Sequence, residues 1–284
     1  MAIPEKGGYV QKMGTPLLAG LWMTVLLGSA APAPAALDTP TVRLDAAQVA
    51  ARLAAGGTEA PDLTGVDLSG LDLRGLDFKG ADLTRARLVG TKLPGANLFS
   101  CDLTDAVATD AVLTDANMDG TVLRRADLRR ADLSGASLFA TILEQTNLSG
   151  ANLSGTRLIG YLRSADLSGA SLEGANAGAD PGNQSMGVMR ATFVGANLSG
   201  ADLSDANLYK ADFSYADLTG AKLRGANLEN ADLVNTDFGR ADLTGARFAR
   251  SNVEGASFRG AVGVSRTQGL DQARNRNKAI FDEP

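Results

Sequence analysis

A five-residue repeat constrains this chain more than any other feature of its sequence. Between Pro61 and Gly260, a small residue, Asp or Asn, a large apolar residue and two polar or Gly positions recur with few interruptions, as in ADLSD at 201–205. We call the large apolar position i. A short fixed period indicates a repeat architecture in which each unit packs against its neighbours.

The apolar positions predict which side chains face the inside of the fold. The 38 clear units are centred every fifth residue from 63 to 158, at 162, 167, 172 and 177, and again from 193 to 258. Position i is Leu in 28 units and Phe in 6, and the residue two before it is Ala in 25 and Thr in 6. Because residues two apart lie on one face of extended backbone, both positions are expected to point into a common core.

The polar positions predict one corner in each unit, because three residues separate i from the next small residue. Glycine at i+2 supplies the backbone conformations that such corners often need, at Gly65, Gly70, Gly75, Gly150, Gly195 and Gly200. Short sides joined by corners, with Leu and Ala inside, predict an all-β solenoid whose coils stack about 4.8 Å apart.

The pattern resembles the pentapeptide-repeat family, whose motif reads Ala-Asp/Asn-Leu-x-x. The resemblance covers residues 61–260 and implies a right-handed quadrilateral β-helix with four of the five-residue units in each coil. The periodicity by itself gives the unit but not the number of units per coil. In some members of the family a B-DNA-like shape and charge binds type II topoisomerases, and in others a terminal helix forms a dimer.

The first segment, residues 1–36, is typical of a secretory signal peptide. Lys6 and Lys12 precede an apolar run at 17–27, and the small residues APA at 33–35 suit a cleavage site. The run is too short to span a bilayer comfortably. We therefore expect export without stable membrane insertion after cleavage, with an uncleaved anchor as the alternative.

Helical caps are expected at both ends of the repeat region. Residues 37–60 form a linker and an N-terminal capping helix, in which Asp45 and Gln48 match a capping box. Residues 261–284 form a C-terminal capping helix and tail, based on the helical spacing of residues 270, 273, 277 and 280. A homodimer through an end cap is the alternative role of this second helix.

Two irregularities interrupt the repeat. Leu158 and Leu162 are separated by one position fewer than the regular period, and the pattern is lost after Ala177. The second break predicts a projecting turn, because it contains a Pro-Gly pair. This candidate loop is either a plain insertion or a binding loop, and it comprises Asp180, Pro181, Gly182, Asn183, Gln184 and Ser185.

With four units per coil, several outward apolar side chains fall into two adjoining columns. Val122, Ile142 and Tyr161 share one column, and Phe139 and Ile159 share the other. Exposed apolar patches often mark contact surfaces, so these five residues are the candidate protein-contact patch. The alternative is that the N-terminal segment or the candidate loop covers them.

The same register places opposite charges on neighbouring coils, which favours cross-coil ion pairs. The predicted pairs are Asp105 with both Arg85 and Arg125, Arg130 with Asp110, Arg124 with Glu144, and Lys222 with both Asp202 and Asp242.

Catalytic chemistry is not expected. The chain has no His, the commonest general base and metal ligand. Its single cysteine, Cys101, occupies a small inward position, and the Asp residues recur once per unit so that no pair stands out for acid–base work. We expect no enzyme activity, no cofactor and no metal.

Charge also argues against DNA mimicry. Nearly ten coils give a length of roughly 45 Å, over which duplex DNA carries on the order of 26 charges. Residues 62–260 contain 25 acidic and 19 basic residues, a net charge of -6. The sequence therefore predicts an exported, non-catalytic scaffold that contacts an unknown protein partner, without nucleic-acid binding. We expect it in the periplasm, or in the thylakoid lumen of a cyanobacterium. The alternative is a DNA-mimicking, gyrase-binding protein.

Overall fold

The computed structural model describes residues 42–55, 60–179 and 189–283. The chain divides into two units, residues 1–35 and 36–284. All of the described residues belong to the second unit. The predicted signal peptide at 1–36 and the candidate loop, Asp180 to Ser185, lie outside the described residues.

Successive coils pair in parallel through equivalent positions, such as Asp77 and Asn97, which are 20 residues apart. The first four bridges link Asp62 with Asp82, Asp67 with Arg87, Asp72 with Lys92, and Asp77 with Asn97. Four bridged positions separate one coil from the next, so every coil has four sides, as the family resemblance implied. Each side is a single bridged residue flanked by turns, so the described chain contains no extended strand.

Every backbone N–H has an acceptor in a pentad such as 131–135, which has Asp at i-1. Three N–H groups bond to the coils below and above, one closes the turn onto the preceding unit, and the fifth donates to the side chain at i-1. In the pentad at 131–135, the donors are Ala131 N to Leu128 O (3.0 Å), Asp132 N to Ala111 O (2.9 Å), Leu133 N to Asn152 O (2.7 Å), Ser134 N to Asp132 Oδ1 (3.0 Å) and Gly135 N to Ser154 O (3.0 Å). Complete pairing keeps a narrow, dry core free of unsatisfied amides.

The predicted inward positions form one continuous hydrophobic core. Leu128, Leu133 and Leu138 are fully buried, as are the small residues that precede them by two. Where that small residue is Thr, its hydroxyl donates to a backbone carbonyl, as Thr121 Oγ1 does to Leu98 O of the coil below at 2.8 Å. Phenylalanines stack at the same spacing, with 4.5 Å between the ring centroids of Phe193 and Phe213.

The corners use left-handed backbone at i+2, whether or not the residue is glycine. Gly65 and Gly70 have positive φ angles as expected, but so do Arg85 (φ 58°), Asp105 (φ 59°) and Tyr215 (φ 63°). A left-handed residue with a side chain is strained, and the inter-coil hydrogen bonds hold it in place.

Both irregularities change the spacing between coils. The bridge from Ile142 to Tyr161 is one position shorter than the regular pairing, which accounts for the residue missing near Gly160. Across the second break, Asp166 bridges to Asn197, and these two residues are 31 residues apart. Paired residues on regular coils are 20 positions apart. The coil that contains the break is therefore eleven residues longer than a regular coil.

The predicted N-terminal helix is present as α1, Ala46–Ala55. Its capping box is also confirmed: Gln48 N donates to Asp45 Oδ1 and Asp45 N donates to Gln48 Oε1, both at 2.8 Å. Val49 is fully buried in the core, and Leu53 packs against it. Just before α1, Arg43 bridges to Asp67 and so extends the coil pairing at this end.

The prediction of a C-terminal α-helix is wrong. The segment forms three short 3-10 helices, Val264–Arg266, Leu270–Gln272 and Arg276–Lys278. Between them the chain still bridges to the coil below, with a spacing that widens by one position from each bridge to the next: Arg247 with Gln268, Asn252 with Arg274, and Ser257 with Ile280. These bridges satisfy backbone groups at the edge of the preceding coil, which an α-helix lying across it would leave unpaired.

Candidate functional site

The Asp and Asn side chains at i-1 hold the corners of the coil. Their Oδ1 atoms accept the backbone N–H of residue i+1, as from Thr84 to Asp82 at 2.9 Å and from Thr244 to Asp242 at 3.0 Å. Asp and Asn share an oxygen on the γ carbon, which makes this Asx-type bond available to both. The repeated carboxylates therefore serve the backbone.

Several of these carboxyl groups are more acidic than usual. Hydrogen bonds from the backbone and side chain of Thr64 lower the pKa of Asp62, and those from Thr244 lower the pKa of Asp242. The Arg74 side chain lowers the pKa of Asp72 to about 2. A general acid working near neutral pH needs a shift in the opposite direction.

The predicted cross-coil ion pairs form, with two exceptions. Arg125–Asp105 and Arg130–Asp110 have nitrogen–oxygen distances of 2.7 Å, and Arg124–Glu144 and Lys222–Asp202 have distances of 3.1 Å. Asp105 pairs with Arg125 and not with Arg85, and Asp242 pairs with Arg224 at 3.2 Å instead of Lys222. These exposed pairs contribute little to stability individually.

The columns of the candidate contact patch have the predicted register. Val122 bridges to Ile142, and Ile142 bridges to Tyr161. Tyr161 is 46% exposed, whereas Val122 and Ile142 are half-buried. In the adjoining column Phe139 is also half-buried, because the guanidinium of Arg157 lies 4.0 Å from its ring centroid.

Ile159 does not belong to the exposed surface, since only 2% of it is accessible. It stands beside the shortened coil, where Leu158, Ile159 and Gly160 are all buried. At Gly160 the chain passes so close to the coil below that an added Cβ would lie 2.6 Å from Thr141 O. A side chain that the regular repeat would place outside is therefore buried beside the register slip, without being part of the continuous core.

A second surface feature, which we call the cationic groove, was missed by sequence reasoning. It is lined by Arg190, Lys210, Asn230, Asp232, Arg250 and Arg274. The regular spacing of 20 residues relates Arg190 to Lys210 and Asn230 to Arg250, so the family register could have revealed that column. The place of Arg274 follows only from the widened C-terminal coil, in which it bridges to Asn252.

The single cysteine has a structural environment, and its thiol is not accessible. Cys101 is buried, its thiol contacts Phe78 O at 3.1 Å, and burial raises its pKa to about 12. Within residues 42–55, 60–179 and 189–283, no cluster of His, Cys, Asp or Glu could hold a metal ion. In the same ranges, no helix is both long and apolar enough to cross a membrane.

Comparison with known families agrees with this geometry. The pentapeptide-repeat family model matches eight copies, over residues 62–98, 101–139, 131–160, 189–225 and 221–260. The chain belongs to the pentapeptide-repeat family. Membership implies that the four-sided coil is a right-handed β-helix. No catalytic family is indicated, and a search of curated proteins finds no match.

Solved structures of pentapeptide-repeat proteins are similar to this chain. HetL from the cyanobacterium Nostoc sp. strain PCC 7120, involved in heterocyst differentiation regulation, is 31% identical with a TM-score of 0.57, over 84% of this chain and 99% of HetL. A protein from the Arabidopsis thaliana thylakoid lumen is 35% identical over 34% of this chain and 63% of its own, with a TM-score of 0.27. QnrB1, a plasmid-mediated fluoroquinolone resistance protein, is 19% identical over 75% and 94%, with a TM-score of 0.34.

Proposed function

We propose that this pentapeptide-repeat protein is an exported, non-catalytic scaffold that presents a rigid β-helix surface to a protein partner. The observation that carries the proposal is the hydrogen bonding between successive coils, to which the Asp and Asn side chains at i-1 add corner acceptors. Side chains fixed to such a frame keep constant spacing, so recognition can rest on geometry with little ordering cost on binding.

The contact surface we propose is what remains exposed of the predicted patch. Tyr161 contributes most of it, and Phe139 and Ile142 border it. Phe99, 40% exposed, lies lower in the Phe139 column. Aromatic side chains on a fixed frame are effective anchors in protein interfaces.

Affinity capture with the tagged protein tests the partner proposal. Phe139→Ser combined with Tyr161→Ser should abolish recovery of a specific partner from the exported fraction, without lowering the melting temperature by more than a few degrees. Tyr215→Ser is the matched control, because Tyr215 is 65% exposed on another part of the coil. Equal recovery of the partner with the wild type, the double variant and the Tyr215→Ser control would rule out the patch as the contact.

Export is tested separately. Fusing residues 1–36 to alkaline phosphatase, which is active only outside the cytoplasm, should give an active enzyme and a shortened mature product. A cytoplasmic protein that inhibits gyrase supercoiling at low concentration would instead support the DNA-mimic alternative.

A further inference from the structure

The cationic groove concentrates positive charge on a chain whose net charge is -5. Four cationic side chains, Arg190, Lys210, Arg250 and Arg274, line it together with one carboxylate. They and Asn230 come from five successive coils. Arg190, Lys210, Asn230 and Arg250 share one corner column, whereas Arg274 lies in the adjoining column, bridged to Asn252.

Two of the four cations are already neutralised. Arg190 contacts Asp232 at 2.9 Å and Asp212 at 3.4 Å, and Arg274 contacts Asp232 at 3.5 Å. Asp212 and Asp232 bridge to each other on adjacent coils, and Arg190 contacts the carboxylates of both. Asp212 and Asp232 thus lie in the neighbouring column of bridged positions, where Arg190 and Arg274 bind them.

The corner column formed by Lys210, Asn230 and Arg250 has no such balance. The Lys210 ammonium lies 5.3 Å from the Tyr209 ring centroid, and Arg250 Nε donates to Asn230 Oδ1 at 3.2 Å. Among the residues that the structure describes, no carboxylate comes within ion-pair distance of Lys210 or Arg250. Both cations therefore retain their capacity to bind an anion.

Asn230, between these two cations, supplies an independent observation. The bond from Arg250 fixes its carbonyl oxygen, so the amide nitrogen must point elsewhere. That Nδ2 is buried and has no hydrogen-bond acceptor in the described structure. Buried donors are nearly always paired, so Asn230 leaves an unmet donor between two available cations, but because that atom is buried the groups that can meet an anion are Lys210 and Arg250.

We propose that Lys210 and Arg250, held on either side of Asn230, bind the carboxylates of an acidic, extended segment of a partner protein. The three corner positions stack at strand spacing, so Lys210 and Arg250 are separated by roughly 10 Å along the coil, about the length of three extended residues. Arg binds carboxylates in bidentate fashion. This inference rests on the proposed function, since it gives the scaffold's partner a chemical character.

Fluorescence anisotropy with a labelled octaglutamate peptide tests the site, with octaglutamine as the neutral peptide. We expect the full-length protein to bind octaglutamate, and K210Q/R250Q to weaken binding by about tenfold or more through the loss of two charge-assisted contacts. Asn230→Asp, which places a carboxylate beside Arg250, should also weaken it. R125Q/R130Q is the matched control: it removes the same charge from equivalent corners and should stay within about twofold of the wild type.

Equal weakening by R125Q/R130Q would overturn the proposal, because binding would then be diffuse electrostatics. Absence of octaglutamate binding at millimolar concentration would also overturn it, as would tighter, site-dependent binding of a short DNA duplex. If a captured partner is retained by K210Q/R250Q, the groove is not its contact although the scaffold proposal survives. If octaglutamate binds at the site but no patch-dependent partner is captured, the contact patch fails and the groove stands.

Discussion

At the residue scale, the Asp or Asn side chain at i-1 supplies a hydrogen-bond acceptor that the backbone does not provide. Residue i+1 has an N–H that faces neither neighbouring coil, and the Oδ1 atom of Asp or Asn accepts it. This explains why the repeat allows either residue, since the bond requires an oxygen and not a charge. Where Ser137 replaces them, the carboxylate of Asp119 from the neighbouring coil accepts the N–H of Phe139 at 3.0 Å.

Asp132 offers a direct test of this role. Asp132→Asn should change the free energy of unfolding by less than about 0.5 kcal/mol, because the amide oxygen still accepts the Ser134 N–H. Asp132→Ala should cost about 1 kcal/mol, the usual contribution of a hydrogen bond. Urea denaturation measures both. An equal loss in the two variants would show that charge, and not the acceptor, matters.

Asp242 predicts a pH dependence at the same scale. Its pKa is lowered by the Thr244 hydrogen bonds and by Arg224, so it binds protons less readily in the folded than in the unfolded protein. The stabilisation is present above the unfolded pKa of about 3.9 and is lost as pH falls through the lower folded value. The urea midpoint should therefore decrease less between pH 5 and pH 2 in Asp242→Asn than in the wild type. Parallel decreases would contradict this assignment.

At the element scale, the ends and the break of the coil obey the same rule as its centre: backbone groups must find partners. At the N-terminal end, Arg43 bridges to Asp67 and α1 buries Val49. At the C-terminal end, the chain bridges onto the last coils and Phe281 stacks on Phe258, with 5.0 Å between ring centroids. The widened turns thus continue the inner aromatic column.

The register slip at Gly160 predicts an intolerant position. Gly160→Ala should cost about 1 to 3 kcal/mol, because the Cβ would meet Thr141 O at 2.6 Å. Gly155→Ala is the comparator: its Cβ would meet nothing within 4 Å, but its φ of +64° still makes a side chain unfavourable. We expect about 1 kcal/mol for that change. Identical thermal unfolding of the two variants would contradict the proposed close approach.

At the scale of the whole β-helix, stability depends on contacts between neighbouring coils. Each coil packs only on the coil below and the coil above, and the core is one uninterrupted column of Leu, Phe and small residues. A defect in the middle therefore breaks the stack, whereas a change on the outside affects only its own column.

Three substitutions test this division between inside and outside. Leu133→Asp should unfold a large part of the coil, because it buries an unpaired charge, and Ala131→Leu should cost about 1 to 3 kcal/mol through overpacking. Glu173→Gln, at an exposed position, should leave the unfolding free energy within about 0.5 kcal/mol. Circular dichroism during thermal unfolding measures all three. Similar losses at the three positions would contradict the assignment.

The sequence by itself determined which side chains point inward, because the pentads repeat the same local pattern of a small residue followed two positions later by a large apolar one. It also determined α1, since Asp45 and Gln48 form their capping box within one turn. The number of units per coil came from the family resemblance, and export and the contact patch remain predictions.

Only the tertiary structure decided the features that depend on which coil lies next to which. The shortened and lengthened coils, the burial of Ile159, the 3-10 turns after Val262 and the arrival of Arg274 beside Asp232 all arise from hydrogen bonds between distant residues. In the C-terminal segment, the helical spacing of Leu270 and Ala273 gave the wrong answer, because pairing with the exposed edge of the coil below outweighs the local preference. A five-residue period specifies the side of a coil, but the alignment of one coil on the next is a property of the whole stack.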